Sequence, residues 1–346
     1  MNARASLTAS FFFMLIALFS SCALNPEWKL ERSLERLQEG DASSIKDIES
    51  ALLDLSTVES LDVSDLVTNG NVLYTTKGDA VTVRYPFTKT YTFGDDKPAT
   101  LIDMNTDYAV ISDGQRMAVY RVDGKRLEVV TLADRKPSVS SLALAADMVI
   151  YYRGEALYAY RILHRTKERF TAETFPSPYQ KYYAVQMRVY DNLLLVVAGI
   201  AGSYNGSIVD IDTRKVIIKN IAMASSRCYL NTQALYYCTG SAGQWQMVRF
   251  SLADKAKKTI ASFTDITDIH CAAQGYILET STGRWIAAYG ESMVRIPFPF
   301  EPAGVYKYRP ILKYHGTSYI IDMKRFISTL EQIQQAAPSL FEEEKK

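Results

Sequence analysis

The stretch Tyr151-Tyr-Arg-Gly-Glu-Ala-Leu-Tyr-Ala-Tyr-Arg161 reads as the end of an apolar strand, a tight turn on Gly154, and a second strand that runs up to a charged residue. Glycine suits such a turn because it accepts positive φ at little steric cost. The unit recurs, with Gly78 (Tyr-Thr-Thr-Lys-Gly), Gly114 (Ile-Ser-Asp-Gly), Gly206 (Tyr-Asn-Gly), Gly243 (Ser-Ala-Gly), Gly283 (Ser-Thr-Gly) and Gly316 (Tyr-His-Gly) at the corresponding turns. From Gly78 onward the intervals are 36, 40, 52, 37, 40 and 33 residues. The following strand recurs as Val81-Thr-Val-Arg84, Ala118-Val-Tyr-Arg121, Tyr158-Ala-Tyr-Arg161, Ile208-Val-Asp210, Met247-Val-Arg249 and Tyr319-Ile-Ile-Asp322. An apolar pair ending on a charge is what a strand needs when it is buried between neighbouring sheets and then emerges into a loop.

A four-stranded unit of roughly 40 residues, repeated, is the signature of a β-propeller. Seven glycine turns predict an all-β, seven-bladed ring over 57–325, with six or eight blades left open by two irregular units. The 52-residue interval holds extra material around Gly199–Gly206 and in the loop Phe175-Pro-Ser-Pro-Tyr-Gln-Lys-Tyr-Tyr183. The last unit lacks a fourth strand, so either Phe326–Leu330 or an N-terminal segment must close the ring; otherwise two strand edges stay unpaired. The 23 tyrosines suit half-buried strands whose hydroxyls reach water.

Short helices flank the ring. Asn25-Pro26 reads as a cap with proline at the first helical position, followed by Leu30, Leu34 and Leu37 on one face, and Gly40-Asp41 breaks the helix. Ser44 with Asp47 resembles a capping box for a second helix carrying Ile45, Ile48, Leu52 and Leu55. Phe326, Leu330, Ile333 and Ala337 make a third amphipathic stretch before the charged tail. Such faces are expected to dock on the ring, with partner binding as the alternative.

Residues 1–21 read as a secretory signal: Arg4 precedes the apolar run Phe11–Phe19, which is too short to span a bilayer. Phe19-Ser-Ser-Cys22 resembles the lipobox of bacterial lipoproteins, with Phe19 where Leu is usual. The resemblance implies cleavage before Cys22 and acylation of that cysteine, and several acyl chains hold far more firmly than one. Only Ala23, Leu24 and Asn25 separate the anchor from Pro26, a reach of about 10 Å, so the body is expected to sit close to the lipid. Ala23 after the cysteine goes with outer-membrane sorting in enterobacteria.

Without the signal, 38 bases face 38 acids, and this balance makes neither nucleic acid nor anionic lipid a default partner. Past Cys22 only Cys228, Cys238 and Cys271 remain. Cys228 and Cys238 flank an expected hairpin turn around Gln233, which leaves open a cross-strand disulfide or two buried thiols acting as small apolar groups. His164, His270 and His315 fall on different units and lack metal-ligand or nucleophile–base spacing. Gly199, Gly202 and Gly206 lack the Gly-Lys-Ser/Thr end of a phosphate loop. Asp210 and Asp212 are followed by Arg214 and Lys215, which reads as a turn rather than a calcium loop. No metal, cofactor or catalytic residue is assigned.

Val209-Asp-Ile-Asp-Thr-Arg-Lys-Val-Ile217 resembles the Asp-containing turn of quinoprotein-type repeats, and Arg121-Val-Asp-Gly-Lys125 is a fainter echo. With the lipobox, the plan is similar to the lipid-anchored propeller family of the bacterial outer-membrane protein assembly machinery. That resemblance implies a non-enzymatic protein-interaction scaffold in the cell envelope. Tyr179, Tyr182 and Tyr183, in the inserted loop, are the candidate partner contacts, a loop folded onto the ring being the alternative. The competing function is a small-ligand or carbohydrate-binding protein, or a carbohydrate-acting enzyme, working at the channel mouth.

Overall fold

Leu193-Leu-Leu-Val-Val-Ala198 is apolar at every position, and the structure shows why. Leu193, Leu195 and Val197 enter one buried cluster while Leu194 and Val196 enter another on the opposite face of the same strand. A strand covered on both faces needs no polar alternation. The computed structural model describes residues 25–342 except 64, 95–96, 100, 133–138, 176–183, 201–202, 242–243 and 273–274.

Seven four-stranded antiparallel sheets form a β-propeller. Blade 1 covers 67–92, blade 2 101–131, blade 3 139–169, blade 4 184–223, blade 5 229–263, and blade 6 266–296. Blade 7 takes three strands from 301–321 and its fourth from the N-terminal side, Thr57–Leu61, which pairs antiparallel with Thr317–Ile321. Of the two closures the sequence leaves open, the N-terminal one occurs, and Phe326–Leu330 is helical. Each of the seven gaps between adjacent blades holds its own apolar cluster, so the core is a ring of seven interfaces.

Gly78, Gly114, Gly154, Gly283 and Gly316 all sit in the hairpin between second and third strands with positive φ. Gly243 falls between the corresponding strands of blade 5 but outside the described residues. Gly206 is a correction. It lies inside the third strand of blade 4, opposite Val197 and Ile221. The strands Leu193–Ile200 and Ser203–Asp210 are eight residues each, so the hairpin ends earlier than the Tyr-Asn-Gly signal suggests. Gly206 instead faces the end of the Met223 side chain, which would have to shift to admit a Cβ.

Three helices fill the outer gap between blades 6 and 7. Helix α1 (Pro26–Gln38) starts on Asn25, whose side chain accepts from the Glu27 amide at 2.9 Å. Helix α2 (Ser44–Ser56) has no capping box: Ser44 Oγ donates to the Asp41 carbonyl at 2.7 Å, and Asp47 pairs with Arg36 at 3.1 Å. Arg36 bonds Asp41 as well, and that competing partner on α1 draws Asp47 away from the cap. Helix α3 (Met323–Ala336) is capped by Asp322, whose side chain accepts from the Lys324 and Arg325 amides. Leu30, Leu34, Ile48, Leu52, Phe326, Leu330 and Ile333 share one cluster with Ile277, Val294, Phe300 and Leu312 of the ring. Burying one such side chain contributes roughly 1.5–3 kcal/mol, and this is where the amphipathic faces are spent.

Antiparallel alternation gives the ring two distinct faces. The glycine hairpins and the connections between blades lie on one; the first-to-second and third-to-fourth turns lie on the other. The aspartate turns at Asp210 and Asp123 both join third to fourth strands. Asp210 Oδ1 accepts from the Thr213 amide at 2.7 Å and its hydroxyl at 2.8 Å, as a turn does.

Candidate functional site

First strands of neighbouring blades approach one another around the axis, as 101–104 and 184–190 both do with 139–145, so polar side chains from this inner layer line the channel. Asn69 Oδ1 accepts from the Asn71 and Val72 amides, closing the first turn of blade 1, while its Nδ2 donates to the Ile102 carbonyl at 2.6 Å in blade 2. Asn105 repeats both moves, reaching the Ala146 carbonyl of blade 3 at 2.7 Å. Asp103 is buried between them. Its Oδ2 accepts from the Leu144 amide at 2.8 Å, and its Oδ1 from the Met104 amide at 2.9 Å and Asn69 Nδ2 at 3.2 Å. Burial pushes this carboxyl up to about 6, against the opposing pull of the N–H donors.

On the other side of the channel, Gln186 Nε2 donates to Ser226 Oγ at 3.2 Å, and Arg188 Nη1 to the Cys228 carbonyl at 3.2 Å. Arg188 also crosses the ring: a Cβ on Gly70 of blade 1 would meet its Nε at 2.7 Å. Arg227 Nη1 donates to Asp268 Oδ2 at 2.5 Å and to His270 Nε2 at 2.9 Å. His270 Nε2 therefore accepts, which leaves the proton on Nδ1, a buried atom without a partner among the described residues. Burial and then the Arg227 charge hold this imidazole down to about 4, with Asp268 pulling the other way. A channel cavity of about 160 Å³ remains beside Asn69, Ser141, Gln186 and Arg188.

A larger cavity, about 320 Å³, opens on the face opposite the glycine hairpins. Tyr229 and Tyr236 of blade 5, Tyr289 of blade 6, and Tyr308 and Arg309 of blade 7 form its walls. Gly275 takes its place at the base because Met323 packs where a side chain would project, 2.8 Å from an ideal Cβ. Tyr229 meets Tyr308 at 6.5 Å and 72°, and Tyr190 of blade 4 at 5.6 Å and 82°. Burial and the neighbouring tyrosines push the Tyr229 hydroxyl up. The pocket assembles from residues far apart in sequence, and the only local signal was an unusual density of tyrosine.

Cys228 and Cys238 are free, buried thiols. The turn around Gln233 exists, but Tyr229 pairs with Tyr236 and Leu230 with Leu235, so Cys228 falls in line with Tyr237. That one-residue offset puts the two thiols on opposite faces of the blade, Cys228 among Leu230 and Leu235, Cys238 among Ala234 and Met247. Burial pushes Cys228 up to about 11 and Cys238 higher still. Cys22, Tyr179, Tyr182 and Tyr183 lie outside the described residues; Phe175, just before that loop, is buried between blades 3 and 4. Among the described residues no group of three His, Cys, Asp or Glu could hold a metal ion, and no helix is long and apolar enough to cross a membrane.

The fold defines the chain as a seven-bladed β-propeller. No family model matches it, and no curated protein does. Among solved structures, a chain of the mitotic checkpoint complex aligns with TM-score 0.50 at 10% identity, over 77% of this chain and 91% of that one. The WD40 domain of Pan2 from Neurospora crassa gives 0.50 at 8% identity, over 74% and 87%. BamB from Moraxella catarrhalis is a weaker match, 0.43 at 11% identity, over 76% and 98%. At these identities the likeness is one of fold.

Proposed function

We propose that the chain is a lipid-anchored propeller of the bacterial envelope that serves as a non-enzymatic protein-interaction scaffold. In this reading Cys22 carries the lipid, Ala23 favours the outer membrane, and Tyr179, Tyr182 and Tyr183 contact a partner. The observation that supports it most is how the channel spends its polar groups. Asn69, Asp103, Gln186, Arg188 and Arg227 bond one another or backbone across blades, which stiffens the ring as a platform instead of converging on a substrate. Three residues separate Cys22 from the first residue of α1, so a tether there would hold the platform against the lipid.

The test is crosslinking in intact cells with identification of the captured proteins. Wild type should capture a discrete envelope partner, Cys22→Ala should lose lipid labelling and leave the membrane, and Tyr179, Tyr182 and Tyr183 changed together to Ser should weaken capture with the thermal midpoint unchanged. A labelled, membrane-bound Cys22→Ala protein would remove the anchor. Oligosaccharide binding without any captured protein would replace the scaffold by a carbohydrate-binding role.

A further inference from the structure

The tyrosine-lined pocket has an electrostatic vacancy. Arg309 and Lys324 line it, and neither has a carboxylate partner among the described residues. Elsewhere on the ring and its helices, Arg36, Arg116, Arg161, Arg214, Lys219 and Arg227 each sit within 3.2 Å of an acid. The one carboxylate in the pocket wall, Asp322, accepts from two backbone amides as the cap of α3. The hydroxyls of Tyr229, Tyr236, Tyr289 and Tyr308 also make no hydrogen bond among the described residues. Tyr308, at the edge of the cluster centred on Tyr229, is 47% exposed and so open to a ligand. A concave site with rigid amphipathic rings and a net positive wall, two cations against one capped carboxylate, is complementary to an anionic, partly apolar ligand.

The ring geometry favours a peptide over a sugar. Saccharides stack on an open aromatic face, but Tyr229 has ring neighbours at 82° and 72°, and the Arg309 guanidinium lies 4.9 Å over Tyr308. Those contacts occupy faces and leave hydroxyl edges and guanidinium donors, the groups that read carboxylates and backbone carbonyls. The volume of about 320 Å³ admits two or three side chains and no folded element. We infer that this pocket is a second docking site of the scaffold, for a short acidic segment of a partner protein whose carboxylate is taken by Arg309 and Lys324. The inference rests on the scaffold reading but uses the face opposite the glycine hairpins, away from Phe175.

The experiment is selection of random short peptides on the immobilised full chain, with synthetic copies of the winners titrated in solution. Winners should carry Asp or Glu at a fixed place beside apolar residues. Replacing that acid by its amide should weaken binding tenfold or more, and so should the double change Arg309→Gln with Lys324→Gln. Lys324→Gln alone is the second variant, because its side chain is exposed on α3 and its loss leaves the ring packing untouched; it should weaken binding several-fold with an unchanged thermal midpoint. No enriched family, an acid-free family, binding equal in both variants, or retention of acidic oligosaccharides alone would each overturn the inference. Partner capture in cells through Tyr179, Tyr182 and Tyr183 would stand regardless of those outcomes, so the two readings fail separately.

Discussion

Gly70 shows how one residue can hold a ring together. Its φ is +96°, its carbonyl accepts the Lys307 amide of blade 7 at 2.6 Å, and Arg188 from blade 4 lies against its α-carbon. Gly78 also has positive φ but has nothing within 4 Å of an ideal Cβ. Gly78→Ala should therefore cost only the backbone term, about 1 kcal/mol, whereas Gly70→Ala adds displacement of Arg188 and should cost about 2–3 kcal/mol. Denaturant unfolding of both variants checks the difference, and equal losses would show that Arg188 moves aside freely. The glycine hairpins were legible in the sequence because their requirement is local. Asp103 was not, since the Leu144 amide that explains its burial comes from the next blade, 41 residues on.

Element boundaries were readable where a chemical signal marks them, and misread where length alone decides. Asn25-Pro26 fixed the start of α1, but the extended hairpin of blade 4 moved Gly206 from a turn into a strand. The closing strand could not be read because Thr57–Leu61 finds its partner, Thr317–Ile321, at the far end of the chain. Its outward burial is modest, with Val58 41% exposed, so its main service is to cover the edge of blade 7. The helices before it bury Leu30, Leu34, Ile48 and Leu52 against the same blade pair. A chain that lacks residues 25–61 should consequently expose both a strand edge and an apolar face. It should elute as oligomers or aggregates in size-exclusion chromatography with light scattering, while a monodisperse monomer would mean that blade 7 is stable with three strands.

Across the whole ring, two buried groups on different blades set opposite responses to acid. His270 of blade 6 has its folded value held down to about 4, below the ordinary 6.5, so between those values the unfolded chain binds more protons and stability is lost as pH falls. Asp103 of blade 2 is pushed up to about 6 from 3.8, so the folded chain binds more protons and stability is gained as pH falls through the same range. Each shift corresponds to at most about 3 kcal/mol, and the two nearly cancel from pH 6 down to about 4.5. The carboxylates held low, among them Asp113, Glu168 and Asp210, act mainly below that window. Wild type should thus show a shallow stability profile between pH 7 and 4.5. His270→Gln removes the acid-sensitive partner, so its stability relative to pH 7 should rise on acidification; Asp103→Asn should make the profile fall instead. Comparing slopes rather than absolute stabilities separates this linkage from the packing cost of either change, because the lost contacts are equally absent at every pH. Parallel profiles for wild type and both variants would mean that neither group titrates differently in the folded ring.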